Sequence, residues 1–594
     1  MALHQLVFSP YFSPTKLHGL ERKFSVSAPK ISCDYNKALC KASSNVVNNN
    51  PVLRRSANYQ KPIFNDEYIQ SLGNSYGDES YGNRHDELKR EVKMMFDKVL
   101  NPLDQIELID ALQRLGLAYH FEDQIKRTLE TLHNNINNEA ENIWCCDNLY
   151  ATALAFRLLR ENKYHVSSGC FSNFQDKKGN FKATILDDIE GLLSLYEASY
   201  LSIDGETLLD EAKCFTSKHL KEFVENEGCD ASMVKKITHS LEIPLHWRLP
   251  ILEARWFMDI YSKSSKMNPL LLELAKLDFN KVQAIYQDDL KLASRWWSNI
   301  GLGEKFSFAR SRLVESFLWN VGVASEPHLR YFRRMSAALY QLITMVDDVY
   351  DVYGTIEELE LFTNAVERWD TDALENLPDY MKMSFLAVYN YVNEIAFDVL
   401  KEKGFNIIPY LKKGWVDLCK AYMKEAKWYH SGYKPNFDEY LENGWVSIGG
   451  PNVLIHNYFM GANPITMEAL TCFEQDYPNI IYLSQMIFRL IGDLGTCSRE
   501  IRVGDVPKSI ECYMNEKGVS ESEAKEHVRS LIDLTWKKMN EDVLTSSPFP
   551  HSFKEIAMNV ARMSLWMYQF ADGHTDQDPV TKDRIASLLI EPVL

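Results

Sequence analysis

Apolar residues recur at three- and four-residue intervals along most of this chain. The pattern appears first over 87–100 and 103–117, with Pro102 at a helix start, and continues through 150–159, 186–201, 207–226 and 250–262. This is the spacing of amphipathic helices. Strand-like alternation is nearly absent, and the segments 167–180 and 225–230 between helices are polar and carry glycine. The spacing therefore predicts an all-α chain. A Ser- and Lys-rich stretch over 262–268, followed by Pro269, marks a join. Two helical domains are expected, over 54–270 and 271–594. In the second, long helical segments fall at 380–402, 409–431, 452–461 and 478–500. Gly444, Gly449 and Gly450 precede Pro451 in apolar surroundings, which predicts a broken helix lining a cavity.

The stretch 339–354 organises the second half. Leu339, Leu342, Ile343 and Val346 follow the i, i+3, i+4, i+7 rule of a buried helical stripe. Asp347 and Asp351 come next, one turn apart on one face, with Asp348 beside them. Carboxylates so close repel each other and resist desolvation, and a hard divalent cation removes that cost. Magnesium favours a few carboxylates, water and phosphate oxygens. The plainer meaning of such a cluster, a solvated acidic helix end, sits poorly with its apolar and aromatic flanks. A second helix, over 488–500, places Gly492, Thr496 and Glu500 at four-residue steps on one face, with Arg489 about one turn before Gly492 and Lys508 just beyond. Thr and Glu at this spacing are ordinarily an exposed pair. They gain meaning as a counterpart to Asp347 and Asp351 across a shared cavity.

Charge and composition narrow the function. The 594 residues carry a formal charge of −17, which argues against a nucleic-acid partner. No apolar run is long enough to span a membrane. The 11 cysteines are scattered without a Cys-x-x-Cys, consistent with a reducing compartment. Residues 1–53 differ from the rest, with six Lys or Arg, two acidic residues and seven serines. That composition reads as an organelle transit peptide, to be excluded from the fold.

Taken jointly, in order and spacing, Arg54-Arg55, Arg295-Trp296-Trp297, Arg310-Ser311-Arg312, Asp347-Asp348-Val349-Tyr350-Asp351 and Gly492-Asp493 through Glu500 carry a resemblance. The chain resembles plant class I terpene synthases, most closely the angiosperm monoterpene synthases of limonene synthase type. The resemblance implies an N-terminal α-barrel-like domain without its own active site and a C-terminal catalytic domain. It implies metal ligation by Asp347, Asp351, Thr496 and Glu500, with Asp348 supporting, around three magnesium (or manganese) ions. Arg310, Arg312, Arg489 and Lys508 fall at positions that hold the departing diphosphate of a prenyl substrate, and Arg54 and Arg55 at positions that cap the closed site. Trp319, Tyr340, Phe488 and Tyr568 are the candidate aromatic wall for a carbocation, against a reading as plain core aromatics. The expected substrate is geranyl diphosphate, the expected compartment the plastid stroma, and the expected state a monomer.

Three positions depart from the family pattern. Phe64 stands where the tandem-arginine motif ends in Trp, Ser311 where an Asp separates the two arginines, and Gly492 where Asn or Asp is the first metal position. Water is expected to fill that coordination site, with weaker apparent metal affinity. The sequence also contains Asp187-Asp188, but Ile185 stands where an acid-initiated cyclase needs its first Asp, so this pair reads as a helix start. A cyclic monoterpene is the leading product class because of Arg54-Arg55. The alternatives are an acyclic product of myrcene, ocimene or linalool type, and a homologue without catalysis because of Gly492.

Overall fold

The computed structural model describes residues 54–594, setting aside 78, 138–146, 227, 463, 504–505, 571 and 577–578, and the side chains of 79–80, 136–137 and 498–503. The leader 1–53 and Cys145-Cys146 lie outside the described residues. Among the described residues no strand forms; Gln175 and Phe181 make one isolated antiparallel bridge. The all-α expectation therefore holds.

Arg54–Leu594 forms one compact unit. In its first half, Leu149–Glu161 packs on Ile189–Ser199, which packs on Thr207–Glu225. The side chain of Asn148 caps the first of these by accepting from the Ala151 amide. Asp188 does the same for the second through the Gly191 amide, the helix-start role expected of the acidic pair. The 32-residue helix Pro269–Ile300 begins where the sequence places the join, capped by Asn268. It packs against Leu313–Val323 and Arg330–Asp348 in the second half and against Glu79–Lys98 in the first. Trp247 stacks on Trp536 at 5.3 Å, and His246 bonds Asn540 at 2.8 Å, further tying the halves.

In the second half, Leu313–Val323, Arg330–Asp348, Ile408–Ser431, Gly450–Gly461, Asn479–Val503 and His551–Met567 each contribute to a common core. The Asp-rich helix Arg330–Asp348 runs through it, buried at nearly every position from Met335 to Val346. The predicted helix break is present. Phe437–Ser447 ends, Gly449 adopts a left-handed φ of 86°, and Gly450–Gly461 begins. A Cβ on Gly450 would lie 1.5 Å from Oε1 of the buried Gln485, so the two helices approach closely only with glycine there.

Candidate active site

One cavity of about 490 Å³ opens between the Asp-rich helix and Asn479–Val503. This volume falls in the range of small-molecule sites. After Asp348 the Asp-rich helix widens into a π-turn over Val349–Tyr353, closed by the Gly354 amide donating to the Val349 carbonyl at 2.8 Å. Such insertions cluster at functional sites because they re-aim side chains without ending the helix. Asp347 and Asp351 both line the cavity.

Asp348 does not. It lies about 100° round the helix, its carboxylate is fully buried, and it accepts the backbone amide of Arg310 at 2.6 Å and Nε of Arg310 at 3.0 Å. Burial raises its pKa above the usual carboxylate value, against the pull of Arg310. The structure thus gives Asp348, grouped with the metal set in the sequence, the task of holding Arg310. Nη2 of Arg310 bonds Asp347, and Nη1 donates to Thr575 Oγ1 at 3.1 Å. Although burial opposes its charge, these carboxylates hold the guanidinium well above its ordinary pKa.

Arg312 goes elsewhere. Its buried guanidinium donates to the carbonyls of Thr575 at 3.1 Å, Gln60 at 3.0 Å and Ser311 at 3.1 Å, away from the cavity lining. Ser311, where an Asp was expected, accepts Nε1 of Trp297 at 3.0 Å.

On the facing helix, Gly492 and Thr496 line the cavity. A Cβ at Gly492 would meet nothing within 4 Å, so the side-chain position there is open space. The hydroxyl of Thr496 donates to the Gly492 carbonyl at 3.0 Å, leaving oxygen lone pairs for a cation. Asp493 is saturated: it accepts Tyr440 Oη at 3.0 Å, the Ser509 amide at 3.2 Å and Arg489 Nη1 at 3.4 Å. Glu500 belongs to the same helix, but its side chain lies outside the described residues. Arg489 is aimed by the Gly444 carbonyl at 2.8 Å and Ser447 Oγ at 3.0 Å, so the broken helix positions a cavity cation. Lys508 lines the cavity 4.0 Å from Glu425.

The apolar wall is aromatic. Trp319, Tyr340, Phe488 and Tyr568 all line the cavity, with Trp319 central: its ring lies 4.9 Å from Phe488, 5.8 Å from Tyr340 and 6.4 Å from Tyr568.

Residues 54–64 form a strap that reaches the cavity, which Arg55, Ser56, Ala57 and Tyr59 line. Arg54 donates to both oxygens of Glu358 at 2.8 Å and to the Tyr353 carbonyl at 2.9 Å, with its guanidinium over the ring of Tyr353 at 4.5 Å. Arg55 donates to the Asp351 carbonyl and lies over Tyr429 at 4.2 Å. Tyr59 covers Arg310 at 5.2 Å. Phe64, the Trp replacement, stacks on Tyr68 at 5.2 Å.

Sequence reasoning missed Tyr59, Tyr422, Glu425, Thr344 and His574, all at the cavity wall. Thr344 was within reach, since it lies four residues from Tyr340 on one helix face. Its hydroxyl donates to the Tyr340 carbonyl at 2.9 Å and meets His574 Nε2 at 3.1 Å. With the threonine proton committed to that carbonyl, Nε2 carries the ring hydrogen and Nδ1 the lone pair. Nδ1 is buried and has no hydrogen-bond partner among the described residues. Burial, aided by Arg310, depresses the His574 pKa to about 3, so the ring is neutral near pH 7.

An all-helical fold with a cavity that joins carboxylates, cations and an aromatic wall is shared with known proteins. Residues 63–241 match the terpene synthase N-terminal domain, and residues 298–538 the metal-binding domain of the terpene synthase family. Chloroplastic myrcene synthase of Quercus ilex is 54% identical over 93% of this chain and 92% of its own. A crystal structure of limonene synthase with 2-fluorolinalyl diphosphate superposes with a TM-score of 0.89 at 43% identity, over 91% of this chain and 100% of that one. Isoprene synthase from grey poplar (Populus x canescens), solved with three Mg2+ ions and dimethylallyl-S-thiolodiphosphate, gives 0.82 at 45% identity, over 89% and 99%. The chain belongs to the terpene synthase family.

Proposed function

We propose that this protein is a plastid monoterpene synthase that ionises geranyl diphosphate with divalent metal and releases a cyclic monoterpene and diphosphate. The observation that carries the reading is the division of one cavity into a charged end and an aromatic end. Asp347, Asp351 and Thr496 offer hard oxygen donors suited to magnesium or manganese, with Glu500 joining them by its place on the helix. The three ions of the poplar relative are the precedent for the number. Metal bound there would neutralise the diphosphate as its carbon–oxygen bond breaks. Arg310, Arg489 and Lys508 bind the diphosphate oxygens and keep the leaving group from returning.

The carbocation needs the opposite surroundings. Trp319, Tyr340, Phe488 and Tyr568 offer π faces, each worth up to about 2 kcal/mol to a desolvated cation. The strap, anchored by Arg54 and Arg55, excludes water during isomerisation and ring closure. We assign the final proton to neutral His574, whose side chain lines the cavity. Asp348 and Arg312 act indirectly, the first by holding Arg310 and the second by tying the strap at Gln60 to the turn at Thr575. In this reading 54–270 is the supporting domain and 271–594 the catalytic one, the protein acts as a monomer, and residues 1–53 direct it to the stroma. The chloroplastic relative supports that address.

A second reading, an acyclic product, draws on the 54% identity to a myrcene synthase. Incubating the full chain, and the chain from Arg54, with geranyl diphosphate and magnesium tests both by gas chromatography of volatiles. A cyclic product bears out the first reading and an acyclic one the second. Tight diphosphate binding without volatiles would point to catalysis lost through Gly492.

A further inference from the structure

Distant from the Asp-rich helix in sequence, three segments bring a different set of donors together. His85 on Glu79–Lys98, His120 in the short turn Ala118–His120 and Asp278 on Pro269–Ile300 place their ligand atoms within 4.8 Å of one another. Nε2 of His85 lies 2.8 Å and Nε2 of His120 2.9 Å from the same oxygen, Oδ1 of Asp278. Tyr119 Oη donates to that oxygen at 2.8 Å and to Oδ2 at 2.7 Å. His85 and Asp278 are buried and His120 is largely covered. We propose that His85, His120 and Asp278 form a transition-metal site, of the class that takes zinc, stapling the first-half helices to Pro269–Ile300.

The donor set argues for this chemistry. Two imidazoles and one carboxylate suit zinc or a neighbouring divalent transition metal, whereas the all-oxygen set at Asp347 and Asp351 suits magnesium. A tetrahedral site with bonds of about 2.0–2.1 Å separates its ligand atoms by roughly 3.3 Å, so each of the two His–Asp contacts needs to open by about 0.5 Å. As a purely hydrogen-bonded cluster it is crowded at one oxygen: both imidazoles converge on Oδ1, while the one tyrosine proton is shared between Oδ1 and Oδ2. A cation in place of the two convergent N–H groups relieves that crowding. Tyr119 or a water would complete the fourth position.

The test uses the full chain, stripped of metal by a chelator and then offered Zn2+, with retained metal counted by elemental analysis after dialysis. Wild type and Asp347→Asn are expected to keep one zinc per chain, and His120→Gln and His85→Gln to keep none. Co2+ in place of zinc should give the intense visible bands of tetrahedral coordination, which an octahedral all-oxygen site does not. Zinc should also raise the melting temperature of wild type by several degrees, a readout that survives if either histidine variant fails to fold. No retained zinc in wild type, equal retention in His120→Gln, or an unchanged melting temperature with zinc would each overturn the proposal.

Discussion

Arg310 and Asp348 form a buried pair in which one carboxylate takes both the backbone amide, at 2.6 Å, and Nε, at 3.0 Å, of the same arginine. The guanidinium is thereby fixed in position and angle before any substrate enters. Arg310→Ala strips a buried carboxylate of its partner and is expected to cost about 3–5 kcal/mol of stability. Thermal melts would show the loss. Arg310→Lys should fold better yet remain slow, because an ammonium cannot serve Asp348, Asp347 and Thr575 at once. A lysine variant with wild-type kcat would show that the geometry of the fork is dispensable.

Gly492 faces open space, so a larger residue fits without displacing neighbours. Gly492→Asn supplies the missing oxygen donor at the first metal position and should lower the magnesium concentration for half-maximal activity by about tenfold, equivalent to roughly 1.4 kcal/mol. Identical metal titrations of the two proteins would dispose of the idea that water fills this place in the natural chain.

His574 links activity and stability to pH. Its folded pKa of about 3 lies below the ordinary 6.5, chiefly through burial. Between those values the unfolded chain binds more protons than the folded one, so this group's contribution to stability is complete above pH 6.5 and fades as the pH falls toward 3. His574→Gln should flatten that part of the stability profile. If the ring accepts the final proton, kcat should also fall by about a hundredfold with KM held. Unchanged turnover would pass the base role to another group.

The strap depends on Arg54 and Glu358. Arg54 lowers the pKa of Glu358 through their hydrogen bonds, against the effect of its partial burial. The carboxylate therefore contributes fully above its ordinary value of 4.5 and loses its hold as the pH falls through the depressed folded value. Limited proteolysis should find residues 54–64 protected at pH 7 and cut readily in strong acid. Arg54→Ala should give the exposed pattern at pH 7, reduce kcat about tenfold and divert product toward water-quenched alcohols. Cutting that does not change with this substitution would assign the anchoring to Arg55 and Tyr59.

Much of the site was legible because helical spacing carries it. Asp347 and Asp351, and Gly492 and Thr496, could be placed on faces from their intervals; the four aromatics were offered beside the family resemblance, and all of these residues line the cavity. Neighbours in sequence were harder to separate. Asp348 and Arg312 adjoin residues of the site, yet each is directed by partners far along the chain, Arg310 for one and Thr575 and Gln60 for the other. The π-turn over Val349–Tyr353 leaves no mark in apolar periodicity. Tyr422 and Glu425 sit on Ile408–Ser431, whose pattern reads as an ordinary amphipathic helix until tertiary packing turns one side inward.

The close approach of Gly450 to Gln485 limits how this cavity can change over evolutionary time. Any side chain at Gly450 collides with a buried amide, and Gly449 holds a backbone angle that other residues resist. These two positions are therefore closed to substitution, although Gly450 borders the space where product shape is decided. Diversification must run through the apolar side chains beside those glycines and on the wall opposite, such as Ile448, Val453 and Ile343. A lineage exploring new products would keep the glycines and vary what surrounds them.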